Sequence, residues 1–206
     1  MSVEKRIVLV VEDQLSEAVM RKVIAHRSRS LKVGTVITSG GFGNIKKGFG
    51  RFKTACRAVP HVVFTDLDQH ASPCDLRSNW QIGELPATLV FSVAVRSVEC
   101  WLLGDRDAIA DFLLVPKAKI TQAPESLVNS KKELLSLAKR CRSRRLASEM
   151  CPEPGSLARH GPLYNAHMVR FVRESWRVDA AEAASQSLAR ACRRLSELES
   201  LLSDGQ

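Results

Sequence analysis

The stretch His61-Val62-Val63-Phe64-Thr65-Asp66-Leu67-Asp68 decides how this chain is read. An apolar, β-branched-rich run ends abruptly in two carboxylates one residue apart. Such a run, too short for a buried helix, reads as a strand covered on both faces, as parallel sheets require. On an extended backbone the side chains alternate, so Asp66 and Asp68 are expected on the same side. Two like charges that close repel unless a cation sits between them. The earlier stretch Arg6-Ile7-Val8-Leu9-Val10-Val11-Glu12-Asp13 has the same form, an apolar strand running into acid. In a parallel α/β sheet, ligands sit outside the carboxyl ends of the strands. If these two strands are neighbours, Glu12, Asp66 and Asp68 are expected to meet in one oxygen-rich site suited to Mg²⁺ or Mn²⁺. Such ions stabilise charge on a phosphodiester under attack.

Outward from these strands, the pattern alternates. Helix one follows the first strand, with Leu15, Ala18, Val19, Val23 and Ile24 as its apolar stripe and Glu17 four residues before Arg21 on its wet side. Asp13 is placed to cap it. Lys32 to Thr38 reads as a second strand. The glycine-rich Ser39-Gly40-Gly41-Phe42-Gly43-Asn44 loop then opens a basic helix reaching about Ala58. A short helix near Cys74 to Trp80 precedes a fourth strand, Ala87 to Val95. Ser97 is expected to cap a helix carrying Val98, Trp101, Leu102 and Leu103, and Asp105 to cap the next. Strands alternating with helices give an α/β fold with a mostly parallel sheet flanked by helices.

The alternation stops near Pro116, so residues 1–116 are expected to form the α/β domain and 117–206 a basic helical C-terminal extension packed on it. Ser130-Lys131-Lys132-Glu133 reads as a capping box opening one helix to about Met150. Tyr164 to Trp176 reads as an amphipathic helix. Asp179-Ala180-Ala181-Glu182 is expected to cap the last, whose seam is Ala184, Leu188, Ala191, Leu195, Leu198 and Leu202. That seam packs on its own domain or serves a homodimer or partner.

Of the 206 residues, 45% are hydrophobic and 26% charged, ordinary for a globular protein with a real core. No apolar run reaches the roughly 18–20 residues of a membrane span, and the N-terminus lacks a signal-peptide core. A cytoplasmic location is expected. The six cysteines are scattered without a Cys-x-x-Cys pair and read as reduced thiols. A net charge of +9 favours a polyanionic partner, nucleic acid first. Lys46, Lys47, Arg51 and Lys53 after the glycine-rich loop, and Arg140, Arg142, Arg144 and Arg145 in the densest positive run, are the candidate backbone contacts. Gly43 to Gly48 is followed by Phe49 rather than Lys-Ser/Thr, which argues against a phosphate loop, and neither a Gly-x-Ser-x-Gly elbow nor a His-Glu-x-x-His site is present. Glu99 and His70 are further candidates, the first as a fourth metal ligand or a complement to a helix dipole, the second as a general acid or base.

An acid after strand one, a following helix, and Asp-x-Asp after a later strand resemble the Toprim domain of topoisomerases, DnaG-type primases and OLD-family nucleases. Val10-Val11-Glu12 with Ser16-Glu17 is similar to the Glu-Gly-x-Ser/Thr-Glu opening of the OLD-like branch, and Thr65-Asp66-Leu67-Asp68 to its Asp-x-Asp. Val98-Glu99-Cys100-Trp101-Leu102-Leu103-Gly104-Asp105, Gly161-Pro162-Leu163-Tyr164-Asn165 and Ser187-Leu188 resemble an uncharacterised Toprim-related family. Its members are often encoded beside AAA-type ATPases and are suspected of roles in phage defence.

The resemblance implies a Rossmann-like Toprim fold. It also implies a metal-dependent nuclease acting on DNA or RNA, with Glu12 as catalytic or metal-binding acid, Asp66 and Asp68 as metal ligands, and an AAA-type ATPase as a partner. The chain departs from the pattern twice. Asp13 stands where a glycine is expected, and a third acidic motif is missing unless Glu99 supplies it. The alternative reading is a non-catalytic nucleic-acid-binding or ATPase-partner module. A primase- or topoisomerase-like enzyme is disfavoured by the short chain and the lack of a zinc ribbon.

Overall fold

The computed structural model describes residues 4–204. Its centre is a four-stranded, all-parallel sheet in the order β2-β1-β3-β4. The strands are β1 (Lys5–Val11), β2 (Leu31–Thr38), β3 (His61–Asp66) and β4 (Leu89–Ala94). Helices α1 (Gln14–Arg27), α2 (Phe42–Ala55) and α3 (Pro73–Asn79) are the connections between them. This is the expected α/β, Rossmann-like architecture, and its order follows from composition. In β3 every residue from His61 to Thr65 is buried, and in β1 Ile7, Leu9, Val10 and Val11 are, so these two strands take the middle. In β2 only Leu31 is buried, as suits an edge.

The chain builds β2 on one side of β1 and then crosses to build β3 and β4 on the other. The order therefore reverses between β1 and β3, and their carboxyl ends flank the switch-point crevice where open α/β sheets bind ligands. One face of the sheet is covered from α2 and α3: Ile45, Phe49, Leu76 and Trp80 pack with Val10 and Val63. Phe49, Trp80 and Phe91 meet there with ring centroids 5.1–6.0 Å apart. Burying each such side chain contributes about 1.5–3 kcal/mol. Helix α1 buries the expected stripe, including Leu15, Val19, Val23 and Ile24, and Asp13 caps it by accepting the Ser16 N–H at 2.8 Å. Glu17 pairs with Arg21 at 2.7 Å.

The described residues divide into two compact units, one of 4–95 with 187–204 and one of 96–186. This differs from the expected boundary after residue 116. Helices α4 (Val98–Gly104) and α5 (Arg106–Leu113) belong to the helical unit, and the last helix, α10 (Gln186–Asp204), belongs with the sheet. The reason is visible in its contacts. Ser187 Oγ accepts the Val95 N–H at 3.2 Å, and the Glu199 carboxylate accepts the Ser28 and Ser30 hydroxyls, each at 2.6 Å. The seam residues Leu188, Ala191, Leu195 and Leu198 are buried.

In the helical unit, α4 is buried at all seven positions and is its centre. The single helix expected from Ser130 to Met150 is two, α6 (Ser130–Lys139) and α7 (Arg144–Met150), each with its own N-cap. Asn129 rather than Ser130 caps α6, accepting the Lys132 N–H at 2.8 Å, and Ser143 caps α7. The Asn129 side chain supplies the acceptor one residue earlier than the capping-box reading placed it. Helix α8 is Tyr164–Glu174. Asp179 to Glu182 does not cap the last helix; it lies within a separate short helix, α9 (Val178–Glu182). No helix is long and apolar enough to cross a membrane among the described residues. None of the six cysteines, all of them described, is in a disulfide.

Candidate functional site

Strands β1 and β3 are paired from Val8↔His61 to Val10↔Val63, so their ends reach the same edge with Glu12 beyond one and Asp66 closing the other. Glu12 leans across this gap. Its Oε1 accepts the Thr65 hydroxyl at 2.6 Å and the Asp66 backbone N–H at 3.2 Å. Thr65 is fully buried, so a rigid strand position holds the Glu12 carboxylate. Burial pushes the Glu12 carboxyl up, the charges of Asp13 and Asp68 push it the same way, and the bonds from Thr65 and Asp66 offset only part of this. No Lys or Arg pairs with Glu12 among the described residues.

The backbone beside it is also organised. Ser39 N–H donates to the Val11 carbonyl at 2.9 Å and Gly40 N–H to the Glu12 carbonyl at 3.0 Å, so the loop after β2 lies against the end of β1. Gly41, at φ 137°, starts α2 in a conformation that side-chain-bearing residues avoid. Helix α2 therefore begins at this same edge.

The alternation expected through Asp68 does not hold. Strand β3 ends at Asp66, and Asp68 sits at φ 52° in the left-handed region, inside a turn closed by His70 N–H on the Leu67 carbonyl at 3.1 Å. The period-two rule applies only while the backbone stays extended. Among the described residues, no group of three or more His, Cys, Asp or Glu side chains is arranged to hold a metal ion. The three acids share one edge of the sheet without closing into a ligand cluster.

Glu99 belongs to the helical unit, where it is engaged locally. It is 4% exposed; its Oε2 accepts the Ser97 hydroxyl at 2.5 Å and its Oε1 the Tyr164 hydroxyl at 3.0 Å, with Lys131 Nζ at 3.9 Å. Ser97 stands at the N-cap position of α4 without capping it, because its hydroxyl is spent on Glu99 and Ser130 Oγ. Lys131 also lies over the Tyr164 ring, 4.7 Å from its centroid. His70 is held by Asp75, Nδ1 to Oδ2 at 3.1 Å, beside the Phe42 ring.

Of the basic candidates on α2, Lys46, Lys47 and Arg51 are exposed and Lys53 is half-buried; Lys46 donates to Asn79 Oδ1 at 3.0 Å. Arg140, Arg142, Arg144 and Arg145 are all exposed across the break between α6 and α7, and Arg145 pairs with Glu149 at 2.8 Å. The helical break thus turns the densest positive run into a surface loop and helix start.

Two features escape sequence reasoning. Thr65 positions Glu12, although its place beside Asp66 is its only signal. Asp105 is 1% exposed and accepts from Arg177, with Nη2 2.6 Å from Oδ1 and Nε 3.0 Å from Oδ2, besides capping α5 through the Ala108 N–H. Nothing in the spacing links residues that far apart. No family model matches the chain, and no curated protein or solved structure matches it either.

Proposed function

We propose that the carboxyl edge of the sheet is a site for divalent-metal-dependent hydrolysis of phosphodiester bonds in DNA or RNA, with Glu12, Asp66 and Asp68 holding Mg²⁺ or Mn²⁺. The observation that carries this reading is the Glu12 carboxylate at the switch point, fixed by Thr65 and the Asp66 N–H and paired with no basic side chain. Carboxylate oxygens are the donors that hard divalent ions take. A bound ion of this kind supplies Lewis-acid stabilisation of negative charge on phosphate. In this reading Thr65 orients Glu12, while Lys46, Lys47, Arg51, Lys53, Arg140, Arg142, Arg144 and Arg145 hold the nucleic-acid backbone. The resemblance to Toprim proteins described above agrees with this assignment. It extends the reading to a phage-defence effector working with an AAA-type ATPase.

A second reading is a non-catalytic nucleic-acid-binding or ATPase-partner module. The exposed basic residues Lys46, Lys47 and Arg51, and Arg140, Arg142, Arg144 and Arg145, support it, since backbone contact by them needs no catalytic centre.

Two measurements separate the readings. Nicking of supercoiled plasmid and cleavage of a tRNA pool with Mn²⁺ are compared between wild type and Asp66→Ala; the nuclease reading expects cleavage that the substitution abolishes. Thermal unfolding with and without Mn²⁺ is compared between wild type and Glu12→Gln. At an ion concentration about 100 times Kd, specific binding raises wild-type stability by about 2.7 kcal/mol and leaves the variant unmoved. Neither cleavage nor ion-dependent stabilisation, with oligonucleotide binding retained, selects the non-catalytic module.

A further inference from the structure

Strand β4 is an edge of the sheet, and its outer side is incompletely satisfied. The Thr88 carbonyl accepts from His61 N–H at 3.0 Å and the Ala94 carbonyl from Leu67 N–H at 2.8 Å. In a parallel ladder alternate residues face the neighbour, so Val90 and Ser92 also face β3, and Leu89, Phe91, Val93 and Val95 face outward. The two ends of this outward row are closed: Leu89 N–H donates to the Pro86 carbonyl at 2.9 Å and Val95 N–H to Ser187 Oγ at 3.2 Å. Phe91 and Val93 lie between them, and their outward N–H and C=O groups meet no partner among the described residues. The buried Ser92 hydroxyl also lacks one. Unpaired backbone of this kind is a template for an added strand.

A cleft of about 450 Å³ runs along this row, with α3 on one side and α10 on the other. Its lining includes Phe91, Val93, Ser187, Arg77, Arg190 and Arg194 and contains no acidic residue. Arg77 is anchored on the Gly83 carbonyl at 3.2 Å, and Arg194 pairs with Glu197 at 3.2 Å. Arg190 is exposed and pairs with no acid among the described residues. A second cleft continues past the shared residues Arg77, Phe91 and Arg194 to Leu85, Pro86, Leu198 and Leu201, and Glu84 and Glu197 also line it, so acidic side chains of a partner are confined to the first cleft.

We propose that this cleft binds an extended peptide segment as an added strand on β4, with acidic side chains on Arg77, Arg190 and Arg194 and apolar ones towards Leu198 and Leu201. Main-chain bonds to Phe91 and Val93 give affinity, and the arginines give the choice of an acidic partner. A nucleic-acid strand would use the arginines and leave the two backbone amides open. The proposal is independent of Glu12, Asp66 and Asp68.

The test pans a phage library of random seven-residue peptides against the intact chain, then measures the enriched peptides by fluorescence anisotropy and follows amide hydrogen exchange by NMR. The expected result is enrichment of peptides joining β-branched residues to Asp or Glu, with exchange at Phe91 and Val93 slowed at saturation. Arg190→Glu with Arg194→Glu weakens binding about tenfold or more. Val93→Pro removes an outward N–H that the β3–β4 ladder does not use, which edge strands tolerate, and is expected to abolish binding with an unchanged circular-dichroism spectrum. The proposal is overturned if no peptide is enriched, if the enriched peptides lack acids, if the arginine variant binds them equally, or if Phe91 and Val93 exchange as fast as before. Arginine-dependent binding of a labelled oligo-dT strand without amide protection overturns it in favour of nucleic acid.

Discussion

Glu12 and Asp105 are both acids pressed into the protein beside the start of a helix, one in each unit, and they end in opposite states. Burial alone would raise both carboxyls. At Asp105 the side-chain and backbone bonds from Arg177, with the Ala108 N–H, outweigh burial and hold it below its usual value. At Glu12 burial wins over one hydroxyl and one backbone N–H, and it stays above. Removing one partner of a buried pair is costly, whereas a half-buried carboxyl pushed up by burial with no basic partner is a candidate functional group. The difference teaches where to look for function: in the sheet unit's open edge rather than in the helical unit's satisfied network.

The largest expected effect lies on the paired side. Asp105→Ala removes the α5 cap and the anchor of Arg177 together, and is expected to cost about 3 kcal/mol, read as a lower chemical-denaturation midpoint. A loss below about 1 kcal/mol would break the comparison, by showing that water replaces the pair. Next is Tyr164→Phe, which leaves Oε1 of buried Glu99 short of a hydroxyl. A cost of about 1–3 kcal/mol is expected, with the sheet unit's amide-exchange protection unchanged.

The two acids also differ in the sign of their pH dependence. Because the Asp105 value is depressed on folding, its contribution is complete above the unfolded value of about 3.9 and is lost as pH falls through the folded one. Glu12 runs the other way. Its raised folded value opposes folding at high pH, and that opposition disappears below the unfolded value of about 4.3. Glu12→Gln keeps an oxygen for Thr65 and the Asp66 N–H. In EDTA it is expected to unfold at a higher midpoint than wild type at pH 7 and at the same midpoint at pH 4. Equal midpoints at pH 7 would mean that solvent already compensates the Glu12 charge. The smallest effect is Arg145→Ala on the exposed face: no measurable change in melting, because exposed ion pairs contribute little. Its binding to an oligonucleotide should show a shallower salt dependence than wild type.

Much of the sheet was legible because its signals are local. Ile7 to Val11 and Val62 to Phe64 are unbroken apolar runs that only a doubly covered strand accommodates, and Asp13 and Asp105 cap helices where the sequence places them. The breaks in the helical unit were less legible. Asn129 and Ser143 each offer a cap, and the apolar periodicity through that region does not reveal that both are used. At the candidate site, the positions of Glu12 and Asp66 at strand ends could be read from sequence. The left-handed turn at Asp68 could not, since an aspartate after a strand is compatible with either backbone.

The sequence by itself determined the α/β class, the two acid-tipped strands and the basic surface runs, because periodicity and charge are properties of neighbouring residues. Only the tertiary structure decided that β1 and β3 are adjacent, that α10 closes the sheet unit, that Glu99 answers to Tyr164 and Asp105 to Arg177, and that the β4 edge stays open between arginines. Those pairings join residues far apart along the chain, and they are set by which surfaces bury best together.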